Sequence, residues 1–283
     1  MLRSLDSGVS GLQQFQGQMD VIGNNIANTN TTGYKSARVQ FSDAFSQTLR
    51  ASSAATGTSS GTSSMQVGSG VATGAVNNQF SQGSTARTGL PTDLAVSGQG
   101  FFLLRDPAND SEFVTRAGDF RVDANGYFVT NSGMYVQGYS DSGLATLGDI
   151  RIDATGAPAT AAPGASVASF SFDQQGKLNV RLSDGTEYVR GQILLQNFLA
   201  PQALAKEGDN LYSGLVAAGP LVAPSAPGSA GLGNLVAGAL EQSNVDLAFE
   251  FSTMITTQRA FQACSRVITT SDEMLQELVN LKR

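Results

Sequence analysis

The sequence predicts an α+β fold in which helices from the two chain ends pack as a coiled-coil-like domain, with a central, mainly antiparallel β domain between them. Three observations predict it. Apolar residues recur every three or four positions near the start, every seven near the end, and every two in short runs through the middle.

Leu2, Leu5, Val9, Leu12, Phe15, Met19, Ile22 and Ile26 fall on one stripe of a single helix. At 1.5 Å rise per residue this is a rod of roughly 40 Å. The run Asn28-Thr29-Asn30-Thr31-Thr32-Gly33 ends it, since its side chains compete for backbone hydrogen bonds and its glycine permits positive φ. Asn24, Asn25, Asn28 and Asn30 have two readings, bonds to neighbouring copies or simple helix termination. Residues 1–33 form this first element, and 34–75 read as a linker. Within it Ala51 to Ser64 contains only Ala, Ser, Thr and Gly, so it is expected to be extended or mobile.

From Val67 to about Leu215 the period changes to two, and residues 76–222 read as the central β domain. Ala95-Val96, Phe101 to Leu104, Phe113-Val114, Phe120 to Val122, Tyr127 to Val129 and Met134 to Val136 are short β-prone runs between turn residues. Val167 to Phe172, Leu178 to Leu182, Glu187 to Val189 and Gln192 to Phe198 continue the series. Asp123-Ala124-Asn125-Gly126 marks a hairpin and Asp184-Gly185 a further turn. Ala154 to Ala165 reads as a surface loop, and 223–239 as a second linker. Gly98 and Gly100 precede Phe101 without a phosphate-binding lysine or a following helix, which excludes a nucleotide loop. Asp93 and Asp119 read as turn residues rather than as a carboxylate pair for glycoside chemistry.

Residues 240–283 form the closing helix. Leu240, Leu247, Met254, Phe261, Ile268 and Leu275 are spaced by seven, with Val267, Met274 and Leu281 in an adjacent row. Ser243 or Asn244 is the expected cap, with Asp246 and Glu250 at the positive end of the helix dipole and Lys282 and Arg283 at the negative end. Gln258-Arg259 suit either a solvated face or a contact between subunits. Cys264 is a small packing residue.

Composition narrows the function. The net charge is −6 and the 17 Lys and Arg form no run, which argues against nucleic acid. One cysteine, no histidine and no tryptophan remove a disulfide, a His base and a His–Cys zinc set. No catalytic residue, cofactor, metal ligand or small-molecule substrate is expected. No run of about 18 apolar residues is present to span a bilayer, and Met1 to Asp20 lacks the pattern of a signal peptide. Composition alone therefore expects a cytoplasmic chain, with export that bypasses a cleaved signal left open.

Each buried Leu, Ile or Phe contributes about 1.5–3 kcal/mol, so the two stripes must be covered. The ends can pair with each other, fold onto the β domain, or meet the ends of neighbouring copies. Pairing alone does not satisfy flanking faces that also carry Phe251, Val267 and Met274, which favours neighbouring copies. The expected assembly interface is Leu5, Leu12, Phe15, Met19, Ile22, Asn24, Asn25, Ile26, Asn28, Leu247, Met254, Phe261, Ile268, Leu275 and Leu278.

Asp20-Val21-Ile22-Gly23-Asn24-Asn25-Ile26-Ala27-Asn28-Thr29-Asn30-Thr31-Thr32-Gly33-Tyr34-Lys35 resembles the N-terminal signature of flagellar rod and hook proteins. Ser81-Gln82-Gly83-Ser84, the run Thr88 to Phe102, Thr115-Arg116-Ala117-Gly118-Asp119-Phe120 and Asp123-Ala124-Asn125-Gly126 are similar to the family's central motif. Ser243-Asn244-Val245-Asp246 and Met254 to Phe261 complete the match. Within the family, Ile268 to Arg283 and the opening Met1-Leu2-Arg3-Ser4-Leu5 are similar to short hook subunits. The tract at Ala51 to Ser64 is similar in placement to an insert of distal rod subunits, the alternative.

The resemblance implies a structural subunit of a hollow, bendable helical tube in the flagellar basal body and hook on the cell exterior. Its implied partners are other copies of itself, the distal rod protein, the hook cap and hook-filament junction proteins, and the flagellar export apparatus. Terminal helices would form the inner tube. The β domain would form an outer layer whose polar contacts slide, and an apolar outer interface would resist that sliding.

Overall fold

The apolar stripe at the start of the chain folds as one α-helix, Leu2–Ala27, and the period-seven segment as a second, Leu247–Leu281. These come from a computed structural model that describes residues 2–54, 60–159, 161–162 and 164–281. Lys282 and Arg283, expected at the negative end of the helix dipole, and residues 55–59 of the Ala51 to Ser64 tract, expected to be extended or mobile, lie outside the described residues. The fold is α+β, with terminal helices and a central, mostly antiparallel sheet.

Two compact units share the chain. One comprises Met1–Ala27, Ala37–Gln79 and Val245–Arg283; the other comprises Asn28–Ser36 and Phe80–Asn244.

In the first unit the helices run antiparallel. Gly8 lies against Ile268, Gly11 against Cys264, and Asn25 against Glu250. The stretch expected as a linker is instead folded here. Strands Ala37–Asp43 and Val71–Asn78 pair from Ala37↔Asn78 to Asp43↔Val71, and Ser46–Arg50 pairs with Met65–Gly68. The alternation in Ala37-Arg38-Val39-Gln40-Phe41 is short, and its partner begins about thirty residues later, so nothing local announces the pair. In the described flanks of the small-residue tract, Ser53 and Thr62 continue the second of these pairings, exchanging backbone hydrogen bonds at 3.0 and 3.1 Å. Phe41 sits edge-on to Phe15 at 5.9 Å between ring centroids, which anchors strand Ala37–Asp43 on the N-terminal helix.

In the second unit the main sheet follows one antiparallel path. Its order is Val167–Phe172, Lys177–Leu182, Glu187–Ile193, Tyr135–Tyr139, Phe101–Arg105, Glu112–Thr115, Leu211–Ser213 and Ala205–Gly208. Gly126 takes φ 83° and its N–H donates to Asp123 O at 2.8 Å, closing the expected hairpin. Leu94, Phe102, Leu104, Phe128, Leu178 and Ile193 are fully buried in one core, and Phe101, Phe198 and Tyr212 centre another. Ala157, Ala161 and Ala165, expected in a surface loop, pack against the first core. The second expected linker also contributes a strand, Asn234–Ala237, which pairs with Leu94–Ser97. Gly98 holds φ 116°, and a Cβ there would meet Gly233 Cα at 2.8 Å; close backbone approach explains this glycine.

Leu240 belongs to a separate two-stranded sheet of this unit, not to the closing helix. It lies in strand Ala239–Glu241, opposite Ala86. The period-seven row in the helix therefore starts at Leu247. The cap is Asp246, whose Oδ1 accepts from the N–H groups of Ala248 at 2.9 Å and Phe249 at 3.3 Å. Ser243 and Asn244, expected as the cap, precede that turn.

Candidate functional site

The seam between the terminal helices is built from two rows of the C-terminal helix. Met254, Phe261, Ile268 and Leu275 form one, half-buried throughout. The second is Glu250, Thr257, Cys264 and Ser271, also spaced by seven, of which Glu250, Thr257 and Ser271 are buried and Cys264 is half-buried. This second row was not legible, because it is polar. It buries cheaply for two reasons. Thr257 Oγ1 and Ser271 Oγ donate to the carbonyls of Thr253 at 2.8 Å and Val267 at 2.7 Å, so their hydroxyls stay satisfied. Beside Cys264 of the same row the N-terminal helix presents Gly8 and Gly11, which let the backbones approach. A Cβ on Gly11 would lie 3.0 Å from Cys264 Sγ. Gly11→Val therefore wedges the helices apart, and the expected loss is about 1–3 kcal/mol in a urea unfolding titration.

The adjacent row lies outside this seam and faces outward. Val267, Met274 and Leu281 are exposed, and so are Phe249, Phe251, Ile255 and Val279 on the same helix. Of the other expected interface residues, Ile22 and Asn25 are buried, and Leu5, Leu12, Phe15, Met19, Ile26 and Asn28 are half-buried. Asn24, Leu247 and Leu278 are exposed. One chain thus covers one face of its C-terminal helix and leaves a second apolar row in solvent.

Asn25 and Glu250 close the capped end of the seam. The Asn25 amide donates to Glu250 Oε1 at 3.0 Å and to Ala37 O at 2.8 Å, and its Oδ1 accepts from the Ala37 N–H at 3.0 Å. Burial raises the Glu250 carboxyl above its ordinary value, partly offset by the Asn25 bond. A raised carboxyl binds its proton more tightly in the folded chain. Its contribution is fully present below the unfolded value and is lost as pH rises through the folded one. Glu250→Gln, which keeps a side chain of the same length, is expected to raise the thermal midpoint at neutral pH. It should also flatten the fall in stability just above the ordinary carboxylate range.

In the second unit, segments scattered across the sequence motifs meet in one buried knot. Glu241 Oε1 accepts from Lys35 Nζ at 2.6 Å and from the Gly83 N–H at 2.8 Å, and its Oε2 lies 3.4 Å from Arg116 Nη1. Lys35 and Glu241 have fully buried side chains. Lys35 Nζ also donates to Ser81 O at 2.8 Å, Arg116 Nη2 to Gly98 O at 2.8 Å, and the Gly33 N–H to Glu241 O at 2.8 Å. Asn244 stitches the same passages, with its Oδ1 accepting from the Ser36 N–H at 2.8 Å and its Nδ2 donating to Ser81 Oγ at 2.9 Å. The Arg116 guanidinium stacks on Phe101 at 5.2 Å from the ring centroid. Burial lowers the Lys35 ammonium below its ordinary value, and the Glu241 carboxylate pulls it back part of the way. No local pattern in the sequence marks Glu241 as buried, although it is the single charge between Asp209 and Asp246.

The remaining carboxylates of the central motif are tied into structure. Asp93 Oδ2 accepts from Thr88 Oγ1 and Asp119 Oδ2 from Asn131 Nδ2, both at 2.6 Å. Among the described residues, no helix is long and apolar enough to cross a membrane.

Comparison with known proteins connects these features. Residues 5–35 match the model for flagella basal body rod proteins, 95–180 the D1 domain of flagellar hook proteins FlgE/F/G, and 236–281 the C-terminal region of flagellar basal body rod FlgEFG proteins. The three spans contain the C-terminal helix, all but the first three residues of the N-terminal helix, the knot residues Lys35, Arg116 and Glu241, and much of the sheet. The chain is 44% identical over 283 residues to the flagellar basal-body rod protein FlgG of Bacillus subtilis, covering all of both chains. It is 35% identical over 286 residues to the protein of the same name from Borreliella burgdorferi, again end to end. Similarity to the flagellar hook protein FlgE of that organism is 30% over an alignment of 449 positions, which far exceeds the length of this chain. The short-hook expectation is thus less well supported than its distal-rod alternative. Fold, motif positions and end-to-end similarity together establish that the chain belongs to the family of flagellar basal-body rod and hook proteins, a family of axial structural proteins that form polymers of the flagellum.

Proposed function

We propose that the chain is the subunit of the distal rod, a stiff drive shaft within the flagellar basal body, rather than a hook subunit. The observation that carries this reading is length with similarity: proteins named as basal-body rod protein FlgG align from end to end with almost no insertion, whereas the hook relative carries a large excess of sequence.

The terminal helices supply the inner, packed layer. Within one chain the seam of Met254, Phe261, Ile268 and Leu275 holds the C-terminal helix to the N-terminal one. The outward row of Val267, Met274 and Leu281 is buried against neighbouring copies. The interface residues named from the sequence divide accordingly: Ile22, Asn25, Met254, Phe261, Ile268 and Leu275 act mainly within a chain, and Leu247 and Leu278 between chains. Partners are other copies, the adjoining hook and rod proteins, and the export apparatus, through which the subunit leaves without a cleaved signal.

Electron microscopy of basal bodies from a strain lacking the gene tests the reading. Rods that stop short are expected; complete rods lacking only hooks would contradict it.

A further inference from the structure

The knot around Glu241 leaves two polar atoms at its edge unsatisfied. Among the described residues, Arg116 Nε and Tyr212 Oη are buried without a hydrogen-bond partner. Tyr212 is fully buried and Arg116 is 3% exposed. The rest of the guanidinium is engaged, with Nη2 donating to Gly98 O at 2.8 Å and Nη1 lying 3.4 Å from Glu241 Oε2. A buried donor stripped of water and given nothing in return lowers the folding equilibrium constant about fivefold to more than a hundredfold. Two such losses in one core call for a ligand.

Strand register explains why the two groups share a site. Leu103 and Tyr212 both lie opposite Val114, on either side of it. Side chains alternate along a strand, so Phe101, Leu103, Val114 and Tyr212 point to one face. Arg116, two residues beyond Val114, emerges on that face as well. Both groups lean on the same ring: the guanidinium carbon lies 5.2 Å from the Phe101 centroid, and the Tyr212 ring meets Phe101 edge-on at 6.3 Å.

The chemistry of the pair selects the ligand. Burial raises the Tyr212 hydroxyl above its ordinary value, so it stays protonated and can donate as well as accept. The Arg116 Nε–H only donates. An apolar occupant would leave both unsatisfied, and an anion is opposed by the Glu241 carboxylate on the same guanidinium. Water accepts from one group and bonds the other in either sense. We propose that an internal water molecule is built into this core, accepting from Arg116 Nε–H and bonding the Tyr212 hydroxyl. A single trapped water meets these hydrogen bonds without supplying the bulk dielectric that would solvate the buried charges, so the ion pairs of the knot keep their strength. This inference is independent of how the chain assembles.

Tyr212→Phe tests it by sign, because it deletes the hydroxyl and keeps the ring against Phe80 and Phe101. A hydroxyl bonded to water contributes a hydrogen bond, so the folding equilibrium constant of the full-length chain is expected to fall about three- to tenfold in a urea titration. A hydroxyl buried with no partner opposes folding, so a constant that rises overturns the proposal. Location is read separately, from a crystal structure of the full-length chain at a resolution that shows ordered water. A peak within about 2.7–3.2 Å of both atoms is expected. Empty density there, or a protein atom bonded to either group, overturns the proposal. An anomalous peak at that position in crystals grown in bromide also overturns it, and assigns the site to an anion.

Discussion

Replacing Glu241 with Ala is expected to cost about 3–5 kcal/mol and to collapse the cooperative unfolding of the second unit. The carboxylate sits between Lys35 and Arg116, with its own side chain and that of Lys35 fully buried. Its removal strands two cations in a place where water cannot solvate them. It also orphans the Gly83 N–H, a further loss of about 1–3 kcal/mol that overlaps with the first. The appropriate control is Glu187→Ala. Its pair with Arg181, at 3.7 Å, lies at the surface with both side chains largely exposed, so its removal is expected to cost less than about 1 kcal/mol. Urea titrations followed by near-ultraviolet circular dichroism compare the two. Equal losses would show that burial, the quantity that separates the pairs, is not what sets their contribution.

The second large effect lies in the helix seam. Ile268 packs on Gly8 so closely that a Cβ on the glycine would sit 3.1 Å from Ile268 Cγ1. Ile268→Asp removes that contact and puts a carboxylate among apolar neighbours, for an expected loss of about 3–5 kcal/mol. The helix pair should open and polymerisation should stop. Met274→Asp discriminates more finely. Met274 is already exposed in one chain, so the monomer's stability should change by no more than about 0.5 kcal/mol. Polymerisation should still stop, because the proposed neighbour meets that row. Sedimentation of the two variants separates a defect of the monomer from a defect of assembly. A Met274→Asp chain that polymerises normally would remove the outward row from the interface.

Regular periodicity was the readable part of this chain. The N-terminal stripe and the hairpin at Asp123 to Gly126 announce themselves because their side chains repeat with the period of the structure they form. The seam was only half legible. Met254, Phe261, Ile268 and Leu275 stood out as apolar, but the more deeply buried Thr257 and Ser271 did not, since their hydroxyls are satisfied by carbonyls of the preceding turn. Leu240 matched the spacing by coincidence: it alternates in a strand beside Ala86, and two periods that share one residue cannot be told apart at that residue. The knot at Glu241 was illegible for a different reason. Lys35, Ser81, Arg116 and Glu241 are far apart in sequence, and only the strand pairings bring them together. Sequence motifs marked where these segments lie without revealing that they meet.

The central claim is that the outward row of the C-terminal helix is exposed in one chain and covered by its neighbours in the polymer. Thiol labelling of Met274→Cys in a Cys264→Ser background measures it directly. The modification rate is expected to fall at least about tenfold when monomers assemble, as a solvent-facing side chain becomes packed. An unchanged rate in fully assembled polymer would show that the row stays in solvent and that the chain assembles through some other surface.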